Sequence, residues 1–149
     1  MSSLMPELLE HVSAKADGKS IYDYVLDGTK VGFYRDRIEA WQRGEKIAPI
    51  TIDCAMTRAC NAACSFCYAQ LQASEGDKIT KESFFSFLDD AAEIGVKGVS
   101  FISDGESTVM PWYADAVEHA ASVGLAVGAG SNGIKLTRSI LERVLPHLS

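Results

Sequence analysis

Two periods of apolar residues run along the chain, and the switch between them divides it. Residues 6–16 are weakly amphipathic, with Leu8, Leu9 and Val12 at helical spacing and Asp17-Gly18 behind them as a turn. Residues 20–44 carry the helical period in two pieces. Ile21, Tyr24 and Val25 form the first, Asp27-Gly28 interrupts, and Tyr34, Ile38 and Trp41 form the second before Gly44 stops it. These residues are predicted to make a helical lid over a core. Pro49 marks a boundary, after which residues 50–55 alternate apolar and polar and carry two β-branched isoleucines, the pattern of a strand.

From there strand and helix patterns take turns. After the polar connection 74–77, Thr80 stands as an N-cap for a helix over 81–94, with Phe84, Leu88, Ala91 and Ala92 on one stripe and Gly95 as the stop. Residues 99–102 form a short apolar strand, and Pro111 is placed at the first turn of a helix that keeps Tyr113, Val117, Ala120 and Ala121 together up to Gly124. Residues 125–127 are a third strand. A last helix begins near Thr137, groups Ile140, Leu141, Val144 and Leu145, and stops at Pro146. Phe84, Phe85 and Phe87 belong to the core and flank of one helix, and Trp41 and Trp112 to packing interfaces.

Strand, helix, strand, helix, strand, helix predicts an α/β fold with a parallel sheet and right-handed crossovers. In such folds the loops leaving the strands' C-terminal ends gather on one edge, where ligands bind. Three unusual loops therefore converge: the stretch from Cys60 to Cys67, Asp104-Gly105-Glu106, and Ser131-Asn132-Gly133.

Cysteine usage sharpens this picture. Cys60, Cys64 and Cys67 lie within eight residues of one another, in a chain of 149 residues with four cysteines in all. Thiolates at such spacing ligate iron–sulfur clusters or zinc, and three ligands leave one position of a four-coordinate centre open. A structural zinc site with Cys54 as fourth ligand is the competing reading. Zinc ligands usually come as two close couples, whereas Cys54 sits within a strand, where alternation turns it away from Asp53 and into the core. His11, His119 and His147 have no second ligand at useful spacing and are read as surface or packing residues. Clustered cysteines also speak against a secreted disulfide framework and for a reducing compartment.

Composition removes several function classes. The 14 basic and 20 acidic residues give a net charge of -6, with no basic run, so backbone-directed nucleic-acid binding is not indicated. No secretory start and no 18-residue apolar run occur, and a cytoplasmic protein is expected, with no membrane association.

The pattern Cys-x-x-x-Cys-x-aromatic-Cys after a first strand resembles the signature of the radical S-adenosylmethionine enzymes. The resemblance implies that Cys60, Cys64 and Cys67 bind three irons of a [4Fe-4S] cluster, the fourth iron being chelated by S-adenosylmethionine. Phe66 matches the aromatic position whose backbone contacts the adenine. Asp104-Gly105-Glu106 is similar to the family's Gly-Gly-Glu, which meets the methionyl amino group; Gly105 and Glu106 match and Asp104 departs. Ser131-Asn132-Gly133 resembles the Thr-Asn-Gly after the third strand, a polar rim near cofactor or substrate.

The implied activity is reductive cleavage of S-adenosylmethionine to a 5′-deoxyadenosyl radical, which abstracts hydrogen from an unknown substrate. A reducing partner such as a flavodoxin or ferredoxin is implied with it. The implied fold is part of a partial (β/α)6 TIM-like barrel: residues 1–46 as an N-terminal helical extension and 47–149 as the first three βα units of the core domain. The remaining barrel strands are expected from a longer chain, since a sheet ending at the third strand leaves an unpaired edge. The alternative from another class is a non-catalytic zinc- or iron–sulfur-binding module that acts as a partner or electron carrier.

Overall fold

The computed structural model describes residues 34–71, 78–102 and 104–149. The helix expected over 6–16, the helical pattern up to residue 33, the connection 74–77 and Ser103 lie outside these residues. The chain divides between Ile47 and Ala48, and each part is described by itself.

In the first part, α1 (Arg35–Gln42) ends at Gly44, whose φ of 80° is costly for any residue with a Cβ. The Gly44 N–H reaches the Trp41 carbonyl and the Glu45 N–H that of Ala40, so the last turn is closed as a C-cap requires. None of the residues of α1 is buried. Trp41, expected to pack, is exposed.

In the second part β1 (Thr51–Asp53), α2 (Lys81–Glu93), β2 (Gly98–Phe101), α3 (Tyr113–Ser122), β3 (Ala126–Ala129) and α4 (Arg138–Val144) follow in the predicted alternation. The strands lie in the order β1-β2-β3, and both pairs are parallel. In this register Asp53 faces Ser100 and Ser100 faces Gly128, a polar and small row across the sheet. Val99, Phe101 and Val127 are fully buried in the hydrophobic core, and successive side chains of a strand take opposite faces. One face of the sheet is thus apolar and helix-covered, while the other is suited to line a polar interior.

The helices form where the sequence marks them. Thr80 Oγ1 accepts the Ser83 N–H at 3.1 Å and caps α2, whose buried residues are Phe84, Leu88 and Ala91. Gly95 (φ 94°) takes the left-handed turn that ends it. The Phe84 ring stands 5.6 Å from that of Phe101 and 5.3 Å from that of Trp112, so Trp112 does pack as expected. Thr137 Oγ1 accepts the Ile140 N–H and caps α4. His119 stacks on Phe85 and pairs with Asp89.

Four expectations need correction. β1 covers three residues rather than six, because the chain beyond Asp53 turns toward the cysteine loop after one more ladder bond, Cys54 N–H to the Ser100 carbonyl. α3 begins at Tyr113 and not near Pro111, because Ser107–Val109 forms a 3-10 turn first, capped by Glu106. Pro146 does not end the chain's winding: α4 stops at Val144 and Leu145–His147 continues as a 3-10 turn, with Leu145 exposed. The outer edge of β3 is not wholly unpaired either. Leu148 bridges Val127 in parallel, and the Ser149 N–H donates to the Val127 carbonyl at 2.9 Å. The chain after α4 thus enters the position of a fourth strand.

Candidate functional site

Beyond Asp53 the chain is anchored twice before it reaches the cysteines. Cys54 and Met56 enter the core, and burial, helped by the charge of Asp53, pushes the Cys54 thiol up to about 12. Residues 57–59 then cross directly over Gly105. A Cβ at position 105 would stand 2.4 Å from the Thr57 carbonyl oxygen and 2.6 Å from that of Ala59, so this crossing requires glycine. The Glu106 N–H donates to the Ala59 carbonyl at 2.9 Å and fixes the crossing. The close approach expected of Gly105 is therefore made by the cysteine loop's own backbone.

The loop beyond carries its thiols outward. Cys60 and Cys64 are exposed, Cys67 is half-buried, and none of the three is in a disulfide. The Cys67 N–H donates to the Cys64 carbonyl, and the Cys60 Sγ accepts the Ala62 N–H at 3.4 Å. Phe66 is 87% exposed.

Glu106 stands at the opposite pole: its side chain is buried and satisfied. Oε1 accepts the Thr108 N–H, the Thr108 hydroxyl and the Ser131 hydroxyl, and Oε2 accepts the Asn132 N–H at 2.7 Å. Burial by itself pushes this carboxyl up, but the donors from Asn132, Thr108 and Ser131 together outweigh it and hold Glu106 below the usual carboxylate range. Each carboxylate oxygen offers about two acceptor sites, so Oε1 is crowded by its three donors while Oε2, with one, retains room for a further donor.

Asn132 links this carboxylate to the cysteine loop. Its Nδ2 donates to Asn61 Oδ1 at 2.8 Å and lies 3.9 Å from Cys60 Sγ, while its Oδ1 accepts the Ile134 N–H. Ser131 Oγ also accepts the Gly133 N–H, which shapes the loop after β3. Asp104, the departure from the family's pattern, accepts the Tyr68 hydroxyl at 3.3 Å and lies 4.0 Å from Arg58 Nε. It thereby meets residues on both flanks of the cysteine loop.

Of the sequence-predicted residues, Glu106, Ser131, Asn132 and Cys60 are thus joined by hydrogen bonds, and Gly105 underlies the loop. For Cys64 and Cys67 the geometry gives a backbone bond and membership of that loop; Phe66 stands apart in solvent. Sequence reasoning missed Thr108, Asn61, Tyr68 and Arg58. Thr108 carried a signal, since a residue two positions after a helix-capping carboxylate offers it an N–H.

Among the described residues, no three His, Cys, Asp or Glu side chains are gathered closely enough to hold a single metal ion. The donor set nevertheless fits an iron–sulfur cluster. Three cysteines outside any disulfide share one exposed loop, the fourth is withdrawn into the core, and thiolate is the ligand that iron–sulfur clusters select, with binding coupled to the ordering of the ligands.

A family model described as the Radical SAM superfamily matches residues 54–147. The tungsten-containing aldehyde ferredoxin oxidoreductase cofactor-modifying protein of Pyrococcus furiosus is 32% identical over 90 residues, 60% of this chain and 25% of that protein. Streptococcus suis SuiB, solved bound to its precursor peptide SuiA, aligns with a TM-score of 0.58 and 16% identity, over 93% of this chain and 32% of its own. BtrN, solved in complex with AdoMet and 2-DOIA, gives a TM-score of 0.56 and 16% identity, over 68% and 42%. The chain spans 25% to 37% of the length of the curated relatives it matches. The two structural likenesses bear on the fold, a TIM-like barrel built from parallel βα units. Enzymes of the matching family use a [4Fe-4S] cluster and S-adenosylmethionine. By its cysteine loop, its fold and a match across well over half its length, the chain belongs to the radical S-adenosylmethionine superfamily.

Proposed function

We propose that this chain forms part of an enzyme that cleaves S-adenosylmethionine reductively, with Cys60, Cys64 and Cys67 holding the [4Fe-4S] cluster. One observation carries the reading: three cysteines outside any disulfide on one loop, tied to a buried, ionised carboxylate. One-electron cleavage of S-adenosylmethionine to a 5′-deoxyadenosyl radical, followed by hydrogen abstraction from a substrate, is the chemistry the two cofactors supply when bound.

The chain's residues take up the binding tasks. Glu106 offers the open site on Oε2 to the methionyl ammonium, which its lowered pKa suits because the carboxylate is charged at neutral pH. Gly105 brings the β2 loop against the cysteine loop, so carboxylate and cluster are held at a fixed spacing. Phe66 meets the adenine through its backbone, and Ser131 and Asn132 form the polar rim beyond. Asp104 braces the cysteine loop rather than touching a ligand.

Residues 1–46 precede this core as a helical extension, with the core running over 47–149. A flavodoxin or ferredoxin supplies the electron. The cytoplasm suits the site, since a reducing compartment keeps the three thiols reduced; among the described residues no helix is long and apolar enough to cross a membrane. The similar proteins include a cofactor-modifying protein, one solved with a precursor peptide and one solved with 2-DOIA, so radical formation is the step they can share with this chain.

The test is anaerobic incubation of the cluster-reconstituted protein with dithionite and S-adenosylmethionine. Formation of 5′-deoxyadenosine and methionine, abolished in Cys60→Ala, is the expected result. A loaded cluster that leaves S-adenosylmethionine intact contradicts the catalytic reading of this chain.

A further inference from the structure

We infer that Asn132 is a positioning residue that donates a hydrogen bond to the Cys60 thiolate and so raises the reduction potential of the cluster. The inference rests on the reading above, in which Cys60 is a cluster ligand, and adds to it a residue from another loop that tunes that ligand.

The orientation of the Asn132 amide is fixed by its surroundings. Oδ1 accepts the Ile134 N–H at 3.0 Å, so the other end of the amide, Nδ2, must point away from that turn. An amide nitrogen has two hydrogens. Two acceptors lie within its reach: Asn61 Oδ1 at 2.8 Å and Cys60 Sγ at 3.9 Å. The backbone of Asn132 is held independently, by its N–H on Glu106 Oε2 at 2.7 Å. The bonds to Ile134 and Glu106 place the amide beside the first cysteine from outside the cysteine loop, and Asn61 of that loop accepts from it as well. Cys60 Sγ also accepts the Ala62 N–H at 3.4 Å, so the sulfur sits among donors from two separate loops.

Hydrogen bonds to a ligating sulfur draw electron density from it, favour the more negative reduced state of a cluster, and raise its potential. The Asn132 side chain thus eases reduction, the step on which cleavage of S-adenosylmethionine depends. The same residue, through its backbone, shares Oε2 of Glu106 with the incoming ammonium. Glu106 is therefore separated from the cluster ligand by one residue, Asn132, through its backbone bond to Oε2 and its side-chain bond to Cys60.

The test compares the full chain with Asn132→Ala and Asn132→Asp after anaerobic reconstitution. Iron and sulfide content and the paramagnetic resonance signal of the reduced cluster are read first, and the midpoint potential is then titrated without S-adenosylmethionine. Asn132→Ala is expected to load its cluster and to titrate at a lower potential than the wild type. Asn132→Asp keeps the acceptor for Ile134, loses both donors and adds negative charge, and is expected to titrate lower still. Wild-type potentials in both variants overturn the inference. Loss of loading in both, with unchanged circular dichroism, makes Asn132 a mechanical latch of the loop and also overturns it. A wild-type chain that takes up no cluster removes the underlying reading instead, and is recognised before any potential is measured.

Discussion

Glu106 is the residue on which the site turns, because a buried carboxylate is tolerated only when its acceptors are filled. Glu106→Gln replaces an acceptor oxygen with an amide that faces donors, and leaving them unsatisfied costs roughly 1–3 kcal/mol. Urea denaturation at pH 7 measures that loss. The carboxyl is held below its ordinary value in the folded protein, so its stabilisation is complete above the unfolded-state pKa and disappears as pH falls through the folded one. The gap between wild type and Glu106→Gln is therefore expected to close on acidification through the carboxylate range, and a gap that widened there would contradict this assignment. Gly105→Ala is a separate steric test, since its Cβ would meet backbone rather than a yielding side chain. An overpacking cost of about 1–3 kcal/mol is expected, with reduced iron uptake on reconstitution. The identity of Gly105 and Glu106 was legible in the sequence as a motif, but their partners were not. Thr57, Ala59, Ser131 and Asn132 reach them only because two further strand ends arrive at the same edge.

At the scale of elements, α2 was legible almost to the residue, since its cap, its apolar stripe and its glycine stop all agree. Thr80→Ala removes the oxygen that accepts the Ser83 N–H, and about 1 kcal/mol of stability should go with it. Equilibrium denaturation is the check; an unchanged midpoint would mean that water replaces the cap at no cost. The strands were less legible because they are short. β1 is three residues long, too few for a period of two to fix its ends. The start of α3 was misread because Pro111 is a sound first-turn residue, whereas the 3-10 turn at Ser107–Val109 depends on the side chain of Glu106 bonding its own loop. Helix pattern alone carries no sign of that bond.

At the scale of the molecule, the alternation of patterns was enough to predict a parallel sheet, and the order β1-β2-β3 then brings three loops to one edge. The helices behind the sheet are tied together on their outer side. Lys81 of α2 and Arg143 of α4 both pair with Asp115 of α3 at 2.7 Å, and Arg143 also pairs with Glu118. The return of Leu148 to the edge of β3 was not legible, because one bridging residue after a 3-10 turn has no periodicity to detect. The bridge is parallel, like the pairings of β1 with β2 and of β2 with β3. Of the site, the cysteine spacing was legible at once, while the exposure of its thiols and the tether from Asn132 are consequences of this wider assembly.

The central claim is that the cysteine loop holds a cluster with one iron open to S-adenosylmethionine. Electron paramagnetic resonance of the reconstituted, reduced protein, recorded with and without S-adenosylmethionine, addresses it most directly. The account predicts a [4Fe-4S] signal that changes when S-adenosylmethionine is added and vanishes in Cys64→Ala. A signal indifferent to S-adenosylmethionine, or a chain that binds zinc tightly and no cluster, would contradict it.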